Sequence, residues 1–66
     1  MLSARNQLPG MVKSVKLGTV MAEVVVAIGS VECVAVITRT SAEKLKLKVG
    51  DAVRAVIKAT QVMIDK

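Results

Sequence analysis

The chain has 66 residues, a net charge of +5 and a single cysteine, and it lacks histidine and every aromatic residue although 53% of it is apolar. That length allows one domain, residues 1–66, while Cys33 alone excludes an internal disulfide and the missing His excludes the usual structural zinc sites. A core made only of Val, Leu, Ile, Met and Ala in so short a chain is marginal by itself, which points to burial against further subunits.

The first apolar run predicts a strand over about Gly10 to Leu17, with Met11, Val15 and Leu17 on one face and Lys13 as an interruption. Pro9 stiffens the approach to it. Gly18-Thr19 predicts a turn into a second strand from Val20 to Ile28, and Gly29-Ser30 a hairpin into a third from Glu32 to Thr38. Val24-Val25-Val26-Ala27-Ile28 and Val34-Ala35-Val36-Ile37 show no period-two alternation, the pattern of strands covered on both faces. In this chain the second cover has to come from another subunit.

Thr40-Ser41-Ala42-Glu43 has capping-box spacing with Thr40 as N-cap, and the residues to Lys46 favour one or two helical turns. Strand character returns from Ala52 to Lys58, and a last short strand is expected over Gln61 to Ile64. Five strands with one short helix after the third predict an all-β fold, a small five-stranded OB-type Greek-key barrel. The longest uncharged run, Val24 to Val31, falls far short of the roughly 20 residues that span a membrane. No apolar signal block follows Arg5, and a lone thiol fits a reducing compartment, so a soluble cytoplasmic protein is expected.

Two segments concentrate the residue types that carry chemistry. Ser3-Ala4-Arg5-Asn6-Gln7 and Lys58-Ala59-Thr60 combine Arg, Lys, hydroxyls and amides without a carboxylate. Such a set is poor at acid–base work and suited to holding a multiply charged oxyanion, because Arg and Lys donate hydrogen bonds and accept none. On an extended strand Ser3 and Arg5 share a face, and Ala4 leaves room between them. Thr38 to Ser41, at the strand-to-helix junction, adds hydroxyls where free N–H groups gather; Thr40 and Ser41 can cap the helix, touch a ligand, or both.

The remaining features read as structure. Lys13, Lys16, Lys44, Lys46 and Lys48 are solvated surface, Glu23 and Glu32 paired surface charge, the methionines filler, and Cys33 a buried thiol. No nucleophile–base pair is visible, so catalysis is not expected. A basic OB-type fold also fits a single-stranded nucleic-acid-binding protein, the alternative reading. Such surfaces stack bases on aromatic side chains, and here there are none.

The same residues carry a resemblance to the Mop-type molybdate-binding modules, the molbindins of the TOBE/Mop domain family. It runs nearly end to end. It includes Ser3-Ala4-Arg5-Asn6-Gln7, Val36-Ile37-Thr38 with Ser41, Leu47-Lys48-Val49-Gly50, and Val56-Ile57-Lys58-Ala59-Thr60 with Val62-Met63-Ile64. The resemblance implies binding of molybdate, with tungstate as a near-isosteric companion, at subunit interfaces. The residues it assigns are Ser3, Ala4, Arg5, Asn6, Thr38, Ser41, Lys58, Ala59 and Thr60. It further implies a homo-oligomer, a hexamer built as a trimer of dimers, with a second kind of site near the symmetry axis. A role in intracellular molybdenum storage or homeostasis follows, with no catalytic cofactor and no resident metal cation. Thr60 stands where many relatives carry serine, which keeps the hydroxyl; Pro9 and Met21 replace polar residues and remove no ligand. With no DNA-binding or ATPase segment in the sequence, a free-standing regulator or transporter component is not expected.

Overall fold

The computed structural model describes residues 5–66, so the expectations placed on Ser3 and Ala4 lie outside the described residues. Four strands form one antiparallel sheet: β1 (Asn6–Leu17), β2 (Met21–Ile28), β3 (Val31–Thr38) and β4 (Ala52–Ile57). The spatial order is β3-β2-β1-β4, three strands joined as a meander and a fourth returning beside the first, which is the Greek-key arrangement. A short helix α1 (Arg39–Lys44) follows β3, and a single 3-10 turn spans Ala59–Gln61.

The β2–β3 hairpin follows from Gly29-Ser30. Ile28 pairs with Val31 across a two-residue loop whose first position, Gly29, has φ 60°. That conformation suits the twist of the flanking strands and is open to glycine at no steric cost.

β1 is the longest strand and changes partner along its length. Residues Asn6 to Met11 pair with β4, and Met11 to Leu17 pair with β2. Pro9 is tolerated inside it because this half of β1 has a neighbour on one side only, so the missing N–H falls on the unpaired side. A bulge between Val12 and Ser14 shifts the register at Lys13. The extra residue moves the inward phase from Val12 to Val15, three positions on. This corrects the face expected for β1: Val12 is 1% exposed, whereas Met11 and Leu17 lie outside at 55% and 48%.

The core is correspondingly small. Val12, Val24 and Val26 form its centre, with Val15, Ile28, Ile37, Leu47 and Val53 packed against them. On the outer face Val34 and Val36 remain 59% and 62% exposed, as the two-faced apolar pattern of β3 requires when one chain stands alone. The unpaired edges of the sheet, β3 and β4, contribute Cys33, Ala35 and Ile37 on one side and Val53 and Ala55 on the other to one apolar cleft of about 220 Å³.

Two expected elements differ. The helix cap is Thr38, not Thr40: its Oγ1 accepts from the Ser41 N–H at 3.1 Å and donates to Ser41 Oγ at 2.8 Å. Thr38 holds extended backbone as the last residue of β3, so the chain turns into the helix two residues earlier than the capping-box spacing suggests. Glu43 then pairs with Arg39, one turn back at 3.7 Å, instead of reaching toward a Thr40 cap. The fifth strand is also absent from the described residues. After Ile57 the 3-10 turn, closed by Gln61 N–H to the Lys58 carbonyl, carries the chain past the end of β4 rather than back along it. Met63 and Ile64 are left 92% and 90% exposed.

The C-terminus of α1 ends in a Schellman pair, with Lys46 N–H bonded to the Glu43 carbonyl and Leu47 N–H to the Ala42 carbonyl. Lys46 occupies the left-handed position at φ 52°, where glycine is the usual residue. The left-handed conformation costs an L-residue about 1–2 kcal/mol, against about 0.5–1 kcal/mol of extra chain entropy that glycine loses on folding. Lys46→Gly should therefore stabilise the fold by about 0.5 kcal/mol, read as a raised urea midpoint at unchanged slope.

Candidate functional site

The β1–β4 ladder brings the two chemically loaded segments together. Its terminal pairs are Asn6 with Ile57 and Gln7 with Val56. The same register, carried one step outward, sets Arg5 opposite Lys58. Arg5 and Lys58 are both exposed, Asn6 is half-buried, and Ala59 and Thr60 are exposed in the turn that follows β4. The turn's own hydrogen bonds use the amides of Gln61 and Val62, so it does not consume those of Ala59 and Thr60. Lys58, Ala59 and Thr60 thus sit beside Arg5 and Asn6 within a single chain.

The electrostatics are one-signed. Among the described residues the ion pairs are Lys13–Glu32, which reaches across β2, and Arg39–Glu43, and neither involves Arg5 or Lys58. Asp51 is engaged elsewhere, accepting from the Lys48 N–H at 3.1 Å. Two like charges on neighbouring strand positions repel each other, and a bound anion relieves the repulsion. Among the described residues no group of three or more His, Cys, Asp or Glu could hold a metal cation, and no helix is long and apolar enough to cross a membrane.

Thr38 and Ser41 are not part of this cluster in one chain. Thr38 pairs with Met21, and the neighbouring Ala22 pairs with Leu17, which lies at the end of β1 opposite to Asn6. Their hydroxyls are also occupied with each other at the helix cap. A site uniting Arg5, Lys58 and these hydroxyls has to draw them from different copies of the chain.

Next to the cluster lie Gln7, which the sequence reading counted in the donor set without assigning it to the site, and Arg54, which it missed. Gln7 shares a strand face with the Arg5 position, and its Oε1 accepts a 2.8 Å hydrogen bond from Nη1 of Arg54 on β4. The signal was available: Gln7 is two residues past Arg5, and Arg54 is four before Lys58, so period two puts each on the relevant face.

Comparison with known proteins shows the family. The TOBE domain model matches residues 2–64. The chain is 50% identical over 64 residues to molybdenum-pterin-binding protein 3 of Clostridium pasteurianum, covering 96% of this chain and 94% of that protein. It superposes on a molybdate-binding protein from Sporomusa ovata with a TM-score of 0.95 at 42% identity, over 100% of this chain and 98% of the other. A molybdate-bound structure of the cytoplasmic molybdate-binding protein ModG is similar at a TM-score of 0.84 and 43% identity. That match covers 89% of this chain and 43% of ModG.

Proposed function

The chain belongs to the TOBE domain family, in its small Mop-type or molbindin form, and we propose that it binds molybdate as the intact oxyanion. The observation that supports this reading is the β1–β4 register, whose last pair, Asn6 with Ile57, brings together the strand ends that carry Arg5 and Lys58, with no carboxylate paired to either among the described residues. Ser3, Ala4, Asn6, Ala59 and Thr60 supply neutral donors around the two cations, and Thr38 and Ser41 enter from a neighbouring copy. A site that presents N–H and O–H groups accepts a fully deprotonated tetrahedral dianion such as molybdate or tungstate. It rejects an anion bearing a proton, whose O–H finds no acceptor. The ligand is cargo for storage or homeostasis in the cytoplasm, and no step of catalysis is asked of the site.

Titration calorimetry of the unmodified protein should show saturable binding of molybdate, competition by tungstate, and weak or no binding of phosphate at pH 7. Absence of heat, together with no molybdenum retained after gel filtration, overturns the reading. Titration with a single-stranded oligonucleotide at two salt concentrations separates the alternative. A nucleic-acid binder loses affinity steeply with salt through counterion release, whereas this aromatic-free surface should give no saturable binding at the lower salt.

The same reading makes the protein a homo-oligomer, a hexamer arranged as a trimer of dimers. The exposed Val34 and Val36, the bare edges of β3 and β4, and the apolar tail at Met63 and Ile64 are surfaces a second copy covers. Light scattering at micromolar concentration should give a mass several times that of the 7.0 kDa chain, and molybdate should hold the assembly together on dilution. A stable monomer with full affinity would refute both the assembly and the interface site.

A further inference from the structure

We infer that Val62-Met63-Ile64 of a second copy enters the cleft between β3 and β4 and completes the sheet as its missing fifth strand; this rests on the reading that the protein is a homo-oligomer. The sheet order leaves β3 and β4 as its two bare edges, and both border one apolar cleft. The residues that the edges turn toward it, Cys33, Ala35 and Ile37 on β3 and Val53 and Ala55 on β4, are only half-buried. Val24 and Val26 on the middle strand β2 are buried. Cys33, Ala35 and Ala55 are small side chains, so the core stays open along the seam between the two edges. That seam offers apolar walls together with the unpaired N–H and C=O groups of edge strands.

The tail has the complementary properties. Val62 leaves the 3-10 turn with extended backbone, at φ −89° and ψ 126°. Beyond it no hydrogen bond ties Met63, Ile64, Asp65 or Lys66 to the chain among the described residues. Period two sets Val62 and Ile64 on one face and Met63 on the other. The two β-branched residues face the cleft, and Met63 joins the outer face, where Val34, Val36 and Val56 are exposed. Asp65 follows directly and forms no ion pair among the described residues. Arg54 lies on the wall of the cleft and keeps donors beyond the one it gives to Gln7, so entry of the tail brings the two charges together. A copy does not fill its own cleft, because the turn at Ala59–Gln61 carries the chain past the end of β4. Two copies can exchange tails reciprocally, each supplying the strand that the other lacks, which gives a closed two-fold unit.

The test uses the single native cysteine. Cys33 lines the cleft, and paired residues of adjacent strands have Cα atoms about 4.5–5.5 Å apart, within the span of a disulfide. Val62→Cys, Met63→Cys and Ile64→Cys are oxidised mildly and run on a non-reducing gel. At least one of Val62→Cys and Ile64→Cys should give a disulfide-linked dimer, while Met63→Cys, on the opposite face, should not. Adding Cys33→Ser should abolish the link. A disulfide closed within one chain, no disulfide from either Val62→Cys or Ile64→Cys, or equal linking by Met63→Cys overturns the proposal. Dimers that persist after Cys33→Ser set the tails against each other and overturn it too. Ile64→Asp needs no oxidation and should lower the mass seen by light scattering at micromolar concentration, because it carries a charge into an apolar cleft; an unchanged mass counts against the tail. Light scattering of the unmodified protein keeps the two readings apart. A monomer there defeats the assembly reading, while an oligomer whose tail cysteines do not link defeats the placement of the tail alone.

Discussion

Gly10→Ala should remove about 1–3 kcal/mol of folding free energy, the range for forcing an extra group into a packed site. Gly10 sits where β1 leaves β4 and begins to cross β2. A Cβ built there would lie 2.6 Å from the Ala27 carbonyl oxygen, 2.7 Å from Val26 Cγ1 and 3.0 Å from Ile28 Cγ1. The first of these is backbone, and Ala27 is held by its ladder partner Met11. Relief therefore requires the two strands to separate next to the small valine core, not a change of rotamer. A chain of this size has only about 3–10 kcal/mol of stability in total, so the loss is a large share of it. Each kcal/mol displaces the melting temperature by about 4–8 °C in a domain this small. Thermal unfolding at fixed protein concentration should show a fall of about 4–24 °C, and a melting temperature within 2 °C or so of the unmodified protein would show that the strands do not approach as closely as described.

The glycine matters because β1 serves two sheet segments, and that division was only partly legible in the sequence. The positions of β2, β3 and β4 followed from runs of Val, Ile and Thr broken at Gly29-Ser30 and Gly50, where composition and turn chemistry agree. The inward face of β1 did not follow. Met11, Val12, Val15 and Leu17 are all apolar, and only the bulge at Lys13 decides which of them point inward. A bulge is set by the partner strand, which local pattern does not reveal. The helix cap failed for a related reason: Thr38 and Thr40 are both good caps, and the end of the β3 ladder chose the earlier one. Val62-Met63-Ile64 reads as a strand by propensity, yet a strand needs an edge, and the turn at Ala59–Gln61 takes this segment away from the edge of its own β4.

The site shows the same split between chemistry and placement. The residue types at Arg5, Asn6, Lys58, Ala59 and Thr60 pointed to an oxyanion before any fold was considered, since charge and donor count are properties of composition. That Arg5 stands opposite Lys58 is a property of the ladder, in which Asn6 meets Ile57. Thr38 and Ser41 were assigned to the same ligand, and the topology sets them at the far end of β1. The apparent conflict has a physical resolution. Small chains with bare edges and exposed valines associate, and association is what can return hydroxyls of one copy to the cations of another.

Arg5→Ala and Lys58→Ala should each weaken molybdate binding at least tenfold, the lower range for losing a charge-assisted hydrogen bond. Arg5 contributes a planar fork matched to two oxygens of a tetrahedral anion, so Arg5→Lys should recover only part of the loss although it keeps the charge. Lys58 contributes a compact point charge just past the end of β4, and Lys58→Arg should be tolerated less well than its charge suggests, because a planar guanidinium fork does not present its donors as an ammonium does. The stability of the empty protein should move the other way. With no carboxylate paired to either cation among the described residues, removing one of them relieves repulsion across the β1–β4 pair. The melting temperature without ligand should hold or rise, while the increase produced by added molybdate should shrink as mass action requires. This opposition separates a lost ligand contact from a damaged fold, in which affinity and ligand-free stability fall together. Unchanged affinity in both alanine variants would remove Arg5 and Lys58 from the site and leave the one-signed end of the β1–β4 ladder without the function argued for it.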